Sequence, residues 1–575
     1  MDSLDLSQRH KVRVLVGPHT APEFITEDGF RSLFATEWRV DHNSSRTGVR
    51  LLGPKIEWAR ENGGEAGLHP SNIHDNAYAF GALDMTGDTP ILLGPDGPSL
   101  GGFVSPAVVI NADRWKLGQL CPGDRVSLEA VSEEEARNLS DQQESLLHEP
   151  VNTANVPDHV RGRSAFDSPV LWMKESETKI IVRRSGQEWL LVEFGEPVLD
   201  LSSRVAVERL VKFIEDENFL GIIEKTPGVR SLQIRFSTKR WDAISLAKAL
   251  EPLLLKAVEV KDAKVASRIV RMPLSWRDPC CQQAEERYMS IVNPNAPWCP
   301  DNLEFIRRIN GLKTTAEVKE IVFNASYLVM GLGDVYLGAP VATPMDPTHR
   351  LVTTKYNPAR TWTAQNSVGI GGAYMCVYGM EGPGGYQLVG RTMPVWRDKG
   401  FNSNDDLCWL LRHFDQIQFY EVEQVELFEL RKQTLSGEFE PEVVETTFDL
   451  NAYLQMIEAK SDEISEFNLR RSQAFGEEME RWRQLREFEP IASSGSADLT
   501  ALGKLEGVQV KAEMGASVWK VIASPGEDVK IGETILVVEA MKAEFEVKAT
   551  STGKLQLHVK EGQVVQSGDL LASIA

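Results

Sequence analysis

The chain changes its hydrophobic rhythm several times, and those changes divide it. From 11 to 131 the apolar residues recur with period two. Lys11 to Gly17 alternates around Val12, Val14 and Val16, and later runs are Ile91-Leu92-Leu93 and Ala107-Val108-Val109-Ile110. Such runs between glycines and prolines predict half-buried strands, with helical signal confined to pieces such as Thr26 to Phe34. Three polar clusters interrupt them, at 43–48, 69–76 and 96–102. They are expected to be loops on a β scaffold, where binding groups are commonly placed, although Asn, Asp, Ser and Gly are equally plain turn residues. Residues 132–165 are acidic and then aperiodic, which predicts a linker with one short helix at most.

From 166 to 262 the period alternates between two and 3.6. Two strand-like runs (Thr178 to Arg183, Glu188 to Phe194) precede a helix with Val207, Leu210, Val211 and Ile214 on one face. A strand from Ser231 to Phe236 and a helix capped by Asp242 follow. This order predicts a small α+β domain. Residues 265–448 begin with a strand (Ile269 to Leu274) and continue into helices, one opened by Thr314 with Glu317, another bracketed by Asp301 and Gly311. They then turn glycine-rich and strand-like. Residues 450–489 read as one Glu- and Arg-laced helix, expected to be a solvated connector. Residues 490–503, with Ser493 to Ala497 at their centre, should behave as flexible coil.

The last segment, 504–575, writes one unit twice. Gly526 and Gly532 precede Ile535-Leu536-Val537-Val538, and 36 residues later Gly562 and Gly568 precede Leu570-Leu571-Ala572. Two such strand-turn-strand units predict a flattened barrel, with an exposed turn between them. Lys542 lies in that turn, within Glu539-Ala540-Met541-Lys542.

Composition narrows the function. The chain has 575 residues, 42% of them apolar and 25% charged, with a net charge of −21. An acidic balance of this size argues against nucleic-acid or anionic-membrane partners, which need clustered Lys and Arg. No apolar run reaches the length of a membrane span, and the N-terminus lacks a secretory pattern. The six cysteines show no C-x-x-C pair and read as reduced thiols of a cytoplasmic protein. The glycine-rich stretches 331–338, 367–372 and 383–392 contain no G-x-x-x-x-G-K-[ST], so their glycines are expected at turns and close backbone approaches, not around a nucleotide. No metal-ligand spacing is present.

The duplicated barrel with Glu-Ala-Met-Lys resembles the biotin carboxyl carrier family, which implies biotin attached covalently to Lys542, beside Met541, by a biotin protein ligase. Gly331-Leu332-Gly333-Asp334-Val335-Tyr336-Leu337-Gly338, Ser367-Val368-Gly369-Ile370-Gly371-Gly372 and Pro383-Gly384-Gly385-Tyr386-Gln387-Leu388-Val389-Gly390-Arg391-Thr392 follow the order of the allophanate hydrolase subunit 1 family. Ser44-Ser45-Arg46-Thr47-Gly48-Val49-Arg50 and Gly101-Gly102-Phe103 resemble the second half of the subunit 2 family. Joined to a carrier, the two are similar to the carboxyltransferase part of urea carboxylase, found also within urea amidolyase. The implied fold class is a multidomain, β-rich α+β chain, with two β-barrel-like (cyclophilin-like) transferase lobes, the small α+β domain and the flattened biotinyl barrel.

The implied reaction moves CO2 from carboxybiotin to a nitrogen of urea, giving allophanate. Guanidine or another urea-like amide is the alternative acceptor, and a kinase-inhibitor or 5-oxoprolinase-type interaction protein the alternative from another class. A neutral planar acceptor calls for a carboxylate towards its N–H groups and donors towards its oxygen. Asp334 is the candidate for the acceptor nitrogens. Asn72 and Asn76, in a segment with His69 and His74, are candidates for urea or biotin. Lys355, Tyr356 and Arg360 could hold the carboxyl group, and Gln387, Arg391 and Arg46 could stabilise developing charge. The resemblance also implies a biotin carboxylase using ATP, Mg and bicarbonate, for which no phosphate loop is found here. It further implies a downstream allophanate hydrolase and a homodimer as candidate assembly. The two lobes are expected to share one active site.

Overall fold

The computed structural model describes residues 8–67, 69–147, 164–333, 338–356, 359–401, 407–484, 507–513, 515–540, 543–565 and 568–575. Two β-barrels dominate it. The first contains Arg9–Val16, Glu37–Val40, Gly48–Leu52, Leu83–Thr86, Thr89–Leu93, Ala107–Val109 and Arg125–Ala130. These form a seven-stranded sheet whose edges approach through the Ala82↔Val108 bridge. The second contains Lys264–Trp276, Tyr327–Leu332, Pro340–Pro344, Ser367–Gly371, Tyr374–Val377, Gln387–Thr392 and Gln416–Glu421. It closes because Gln387–Thr392 pairs with both Ser367–Gly371 and Lys264–Trp276, leaving Glu442–Asp449 as an outer eighth strand.

Numbered along the chain, the strands of both barrels run sixth, first, seventh, second, third, fifth, fourth. In both, the first and seventh strands pair in parallel. Each barrel also carries a two-stranded ribbon in the same connections, Asn72–Ala77 with Leu100–Phe103 and Arg360–Thr363 with Gly382–Gly384. The lobes are one fold used twice. Alternation along each strand buries one face: Val270, Met272 and Leu274 in the second lobe, Val12, Val14 and Val16 in the first.

Between the lobes sits the small domain, a five-stranded antiparallel sheet under two helices. Leu201–Asp216 starts where Asp200 accepts from the Ser202 and Ser203 amides, and Ala243–Ala257 where Asp242 caps Ile244 and Ser245. Their buried Val207, Leu210, Ile214, Leu246, Leu250 and Leu254 meet the sheet, each contributing roughly 1.5–3 kcal/mol by burial. Two arginines fasten the domain to its neighbours. Arg183 pairs with Glu23 of the first lobe at 2.7 Å, and buried Arg204 donates to the Met330 carbonyl of the second at 2.6 Å.

The lobes touch through glycines. Gly333 has φ +104° and Gly372 φ +58°; a Cβ on them would lie 2.2 Å from Ser99 Oγ and 2.6 Å from the Ala66 carbonyl oxygen, both in the first lobe. The glycine-rich blocks therefore serve close backbone approach.

Three expectations are corrected. The cluster at 69–76 is not simply a loop, because Asn72–Ala77 pairs with Leu100–Phe103 and so becomes a ribbon strand. The span 132–165 holds a fifteen-residue helix, Glu133–Leu147, which buries Ala136 and whose Gln143 donates to the Ala112 carbonyl; 148–163 lies outside the described residues. The charged segment is two helices, Leu450–Ala459 and Ser461–Gln484, and the second is no solvated connector: Phe467, Arg471, Glu478 and Trp482 are buried. The linker 490–503 lies outside the described residues.

The carrier barrel has two four-stranded sheets around Val518, Ile535, Leu536, Leu571 and Ile574. Thr534–Ala540 and Ala543–Lys548 form its hairpin, with Glu539 opposite Glu544 and Ala540 opposite Ala543. Met541 and Lys542, the two residues between, lie outside the described residues. Among the described residues no helix is long and apolar enough to cross a membrane.

Candidate functional site

A cavity opens at the seam and is lined from three directions. The first lobe supplies His69, Asn72 and Phe103; the second supplies Trp298, Thr354, Lys355 and Tyr356; helix Ser461–Gln484 closes it with Trp482. The ribbon strand presents Asn72 because Arg60 fixes its backbone, donating to the Asn72 carbonyl at 3.0 Å. The Asn72 amide nitrogen donates to Ser71 Oγ at 3.3 Å, while its buried Oδ1 has no protein partner. His69 bonds Ser71 Oγ at 2.9 Å and faces Asp88 at 3.5 Å.

Lys355 is 6% exposed, with its ammonium 4.6 Å from the Phe103 ring centre and 5.4 Å from that of Tyr386. The ammonium thus lines the cavity between two aromatic rings. Just behind it, Gln387 donates from Nε2 to the Thr354 carbonyl at 2.8 Å and leaves a buried Oε1 without a protein partner. The orphaned Asn72 amide oxygen and the Lys355 ammonium, both on the cavity wall, suit a small guest bearing N–H groups and a carbonyl.

Tyr356 is held rigidly. Asn302 donates to its hydroxyl at 2.6 Å, and Trp298 and Tyr288 pack on its ring at 4.9 and 4.7 Å between centroids. The Arg360 guanidinium lies 4.4 Å from that ring centre, beneath it rather than in the cavity, and donates to the Tyr386 carbonyl at 2.6 Å. The backbone N–H of Asn302 also donates to the Glu285 carboxylate at 3.4 Å. Burial, followed by nearby Asp301, pushes the Glu285 carboxyl up to about 8. His74, bonded to the Tyr374 hydroxyl across the seam, is pushed down to about 3 by burial first, then by Arg230 and Lys355.

The sequence candidates thus separate. Asn72, Lys355 and Tyr356 come together, with Gln387 behind them and Arg360 as support. Asn76 stands further along the same strand, in a second cavity beside Glu193 and Arg230, and neither of its side-chain polar atoms has a protein partner. Arg391 donates to the Gln365 carbonyl at 2.9 Å and contacts Cys280 at 3.2 Å, and it does not line the seam cavity. Arg46 pairs with Asp96 at 2.6 Å on the open surface. Asp334, like Lys542, lies outside the described residues. Sequence reasoning missed Trp298, Asn302 and Trp482. For Trp482 a signal existed: Phe467, Arg471, Phe475, Glu478 and Trp482 recur at helical spacing within the charged segment. Among the described residues no group of three His, Cys, Asp or Glu is placed to hold a metal.

Family models match this architecture segment by segment. Residues 2–130 match the carboxyltransferase domain, subdomain A and B; residues 180–404 match the carboxyltransferase domain, subdomain C and D; residues 507–574 match the biotin-requiring enzyme domain. The chain is 36% identical to the urea amidolyase of Saccharomyces cerevisiae over 98% of its own length and 31% of that protein. It is 29% identical to a putative urea carboxylase of Emericella nidulans, over 92% of its length and 45% of that protein. The crystal structure of Kluyveromyces lactis urea carboxylase superposes with a TM-score of 0.86 at 38% identity, covering 100% of this chain and 51% of that one. The chain spans between about a third and a half of these proteins. Paired carboxyltransferase-family lobes with an appended biotin-type carrier set the class, the carboxyltransferase regions of biotin-requiring enzymes. Within that class, the chain belongs to the urea carboxylase and urea amidolyase family, as its carboxyltransferase and carrier region.

Proposed function

We propose that this chain carries out the second half of a biotin-dependent carboxylation, transferring a carboxyl group from biotin on Lys542 to a nitrogen of urea to give allophanate. The observation that carries this reading is the seam cavity, lined from both lobes, on a chain that also bears the Glu-Ala-Met-Lys sequence. The residues present fit both guests, since a ureido ring and urea each offer N–H donors and a carbonyl to Asn72 and Lys355, with Gln387 supporting from behind. Biotin, when bound, supplies an activated carboxyl group on a ring nitrogen. Asn72 Oδ1 accepts from N–H and orients the acceptor. Lys355 stabilises negative charge developing on a carbonyl oxygen. Tyr356, Trp298 and Trp482 exclude water, which strengthens both contacts. Asp334, next to the seam glycine Gly333, is our candidate for the remaining acceptor N–H groups.

A separate biotin carboxylase, using ATP, Mg and bicarbonate, would charge the carrier, a biotin protein ligase would modify it, and an allophanate hydrolase would consume the product. Six cysteines, none of them in a disulfide among the described residues, support a cytoplasmic setting. The carrier on the same chain favours transfer over a purely interacting role. The test is single turnover: the biotinylated chain is charged with carboxylate, and its loss is followed with urea, with guanidine and with neither. Urea should accelerate it and yield allophanate. Acceleration by guanidine alone would replace the acceptor, and none by either would remove the enzymatic reading.

A further inference from the structure

The carrier barrel meets the second lobe at one arginine. Arg287, on helix Pro279–Ile291, places its guanidinium 5.9 Å from the ring centre of Trp362 in the second-lobe ribbon, and also 5.9 Å from that of Trp519 in the carrier. Among the described residues Arg287 forms no ion pair. Trp362 is oriented by its own N–H bond to the Glu381 carboxylate. Trp519 is 44% exposed and takes no part in the carrier core.

The carrier backbone aims Trp519 outward. Where Ala516–Val521 pairs with the hairpin strand Thr534–Ala540, the register jumps between Val518 and Lys520, so Trp519 is the extra residue of a bulge. A bulge re-aims one side chain without disturbing the inward alternation, and Val518 stays in the core. On the same strand Ser517 pairs with Glu539, three residues before Lys542. The Glu539 carboxylate is close enough to His42 of the first lobe to act on its charge. Trp519 and Glu539 therefore lie on neighbouring strands near the hairpin end of the carrier, Trp519 against the second lobe and Glu539 towards His42 of the first.

We propose that Arg287 is a positioning residue: in contact with both Trp362 and Trp519, it docks the carrier barrel, and with it the hairpin strand Thr534–Ala540, on the second lobe. This rests on the transferase reading above. A planar cation suits the task, since contact with two aromatic faces requires no deep interface, and each face adds modest attraction to a domain that must also leave.

The test uses the full chain co-expressed with a biotin ligase, as wild type, Trp519→Ala, Trp519→Phe, Arg287→Ala and the Trp519→Ala/Arg287→Ala double variant. Intact mass gives biotin content, expected to be equal in all. Stopped-flow capture by avidin then reads how long the biotin stays shielded. Each alanine variant should be captured about three to ten times faster. The double variant should be no faster than either single, and Trp519→Phe should restore slow capture. Equal capture rates in wild type and the alanine variants, on a fully biotinylated chain, would overturn the latch alone. Additive effects would also overturn it. An unmodified Lys542 would remove the carrier reading and the latch together.

Discussion

At the scale of single residues, the cavity depends on few polar atoms, so its predictions are sharp. Asn72→Ala removes a buried acceptor and Lys355→Met the ammonium. Each should lower transfer about 100-fold or more in single turnover, with biotin content of Lys542 unchanged. Burial also sets a pH signature. His19, His74 and His413 are held neutral down to about pH 3. Unfolded, they titrate near 6.5, so between these values the unfolded chain binds more protons. Stability then falls as pH drops through that window, by up to about 1.4 kcal/mol per pH unit for each ring. Glu285 runs the other way. Its raised value favours the folded state at low pH, and that contribution is lost as pH climbs from about 4.5 to about 8. Thermal melting against pH should show Glu285→Gln removing this loss, and an unaltered slope would refute it. Residue types alone made Asn72, Lys355 and Tyr356 legible as polar candidates. They could not tell Arg360 under the ring from a guanidinium in the cavity, nor mark Arg46 as a surface ion pair, because those differences are set by which strand lies across from each.

At the scale of elements, helix Ser461–Gln484 changes most between sequence and structure. Its charges suggested solvent, yet one stripe is buried against helix Asn302–Ile309. Arg308 pairs with Glu478 at 2.7 Å, and Trp482 stacks on Phe305 at 5.9 Å. Arg471, on the same stripe, donates to the Arg350 carbonyl at 3.0 Å and pairs with Glu65 of the first lobe. The helix therefore straps both lobes and closes the cavity. Trp482→Ala should cost about 3 kcal/mol in the melting of the second lobe and also weaken acceptor use in single turnover. A variant that lost stability but kept full transfer would make the helix a structural strap only. Caps such as Asp242, Asp301 and Thr314 were readable beforehand because capping is local. The ribbon strand Asn72–Ala77 was not, because its polar residues face a cavity and so lack the alternation that marks a half-buried strand.

At the scale of the whole molecule, two copies of one barrel fold meet across glycines, and a guest between them needs contacts from both. The repeated strand order was invisible in the sequence, since the two copies share topology and not a readable repeat. The carrier repeat, at a fixed 36-residue offset, was plain. A shared site makes lobe spacing part of the chemistry, and Gly372 tests it. Its φ of +58° costs an L-residue roughly 1–2 kcal/mol, and a Cβ there would press to 2.6 Å from the Ala66 carbonyl oxygen of the facing lobe. Ala66 sits between Arg60 and Asn72 in the chain, so displacement moves the segment that presents Asn72. Gly372→Ala should therefore reduce transfer tenfold or more while each barrel still melts cooperatively and Lys542 is still biotinylated, because a misplacement of about 1 Å is enough to cost that much. Gly476, on the exposed side of the strapping helix, is the control, since an added methyl there would meet nothing within 4 Å. Gly476→Ala should leave transfer unchanged and stabilise by about 0.5–1 kcal/mol. If both substitutions left transfer intact, the lobes would have to act separately, and the single seam cavity would lose its role.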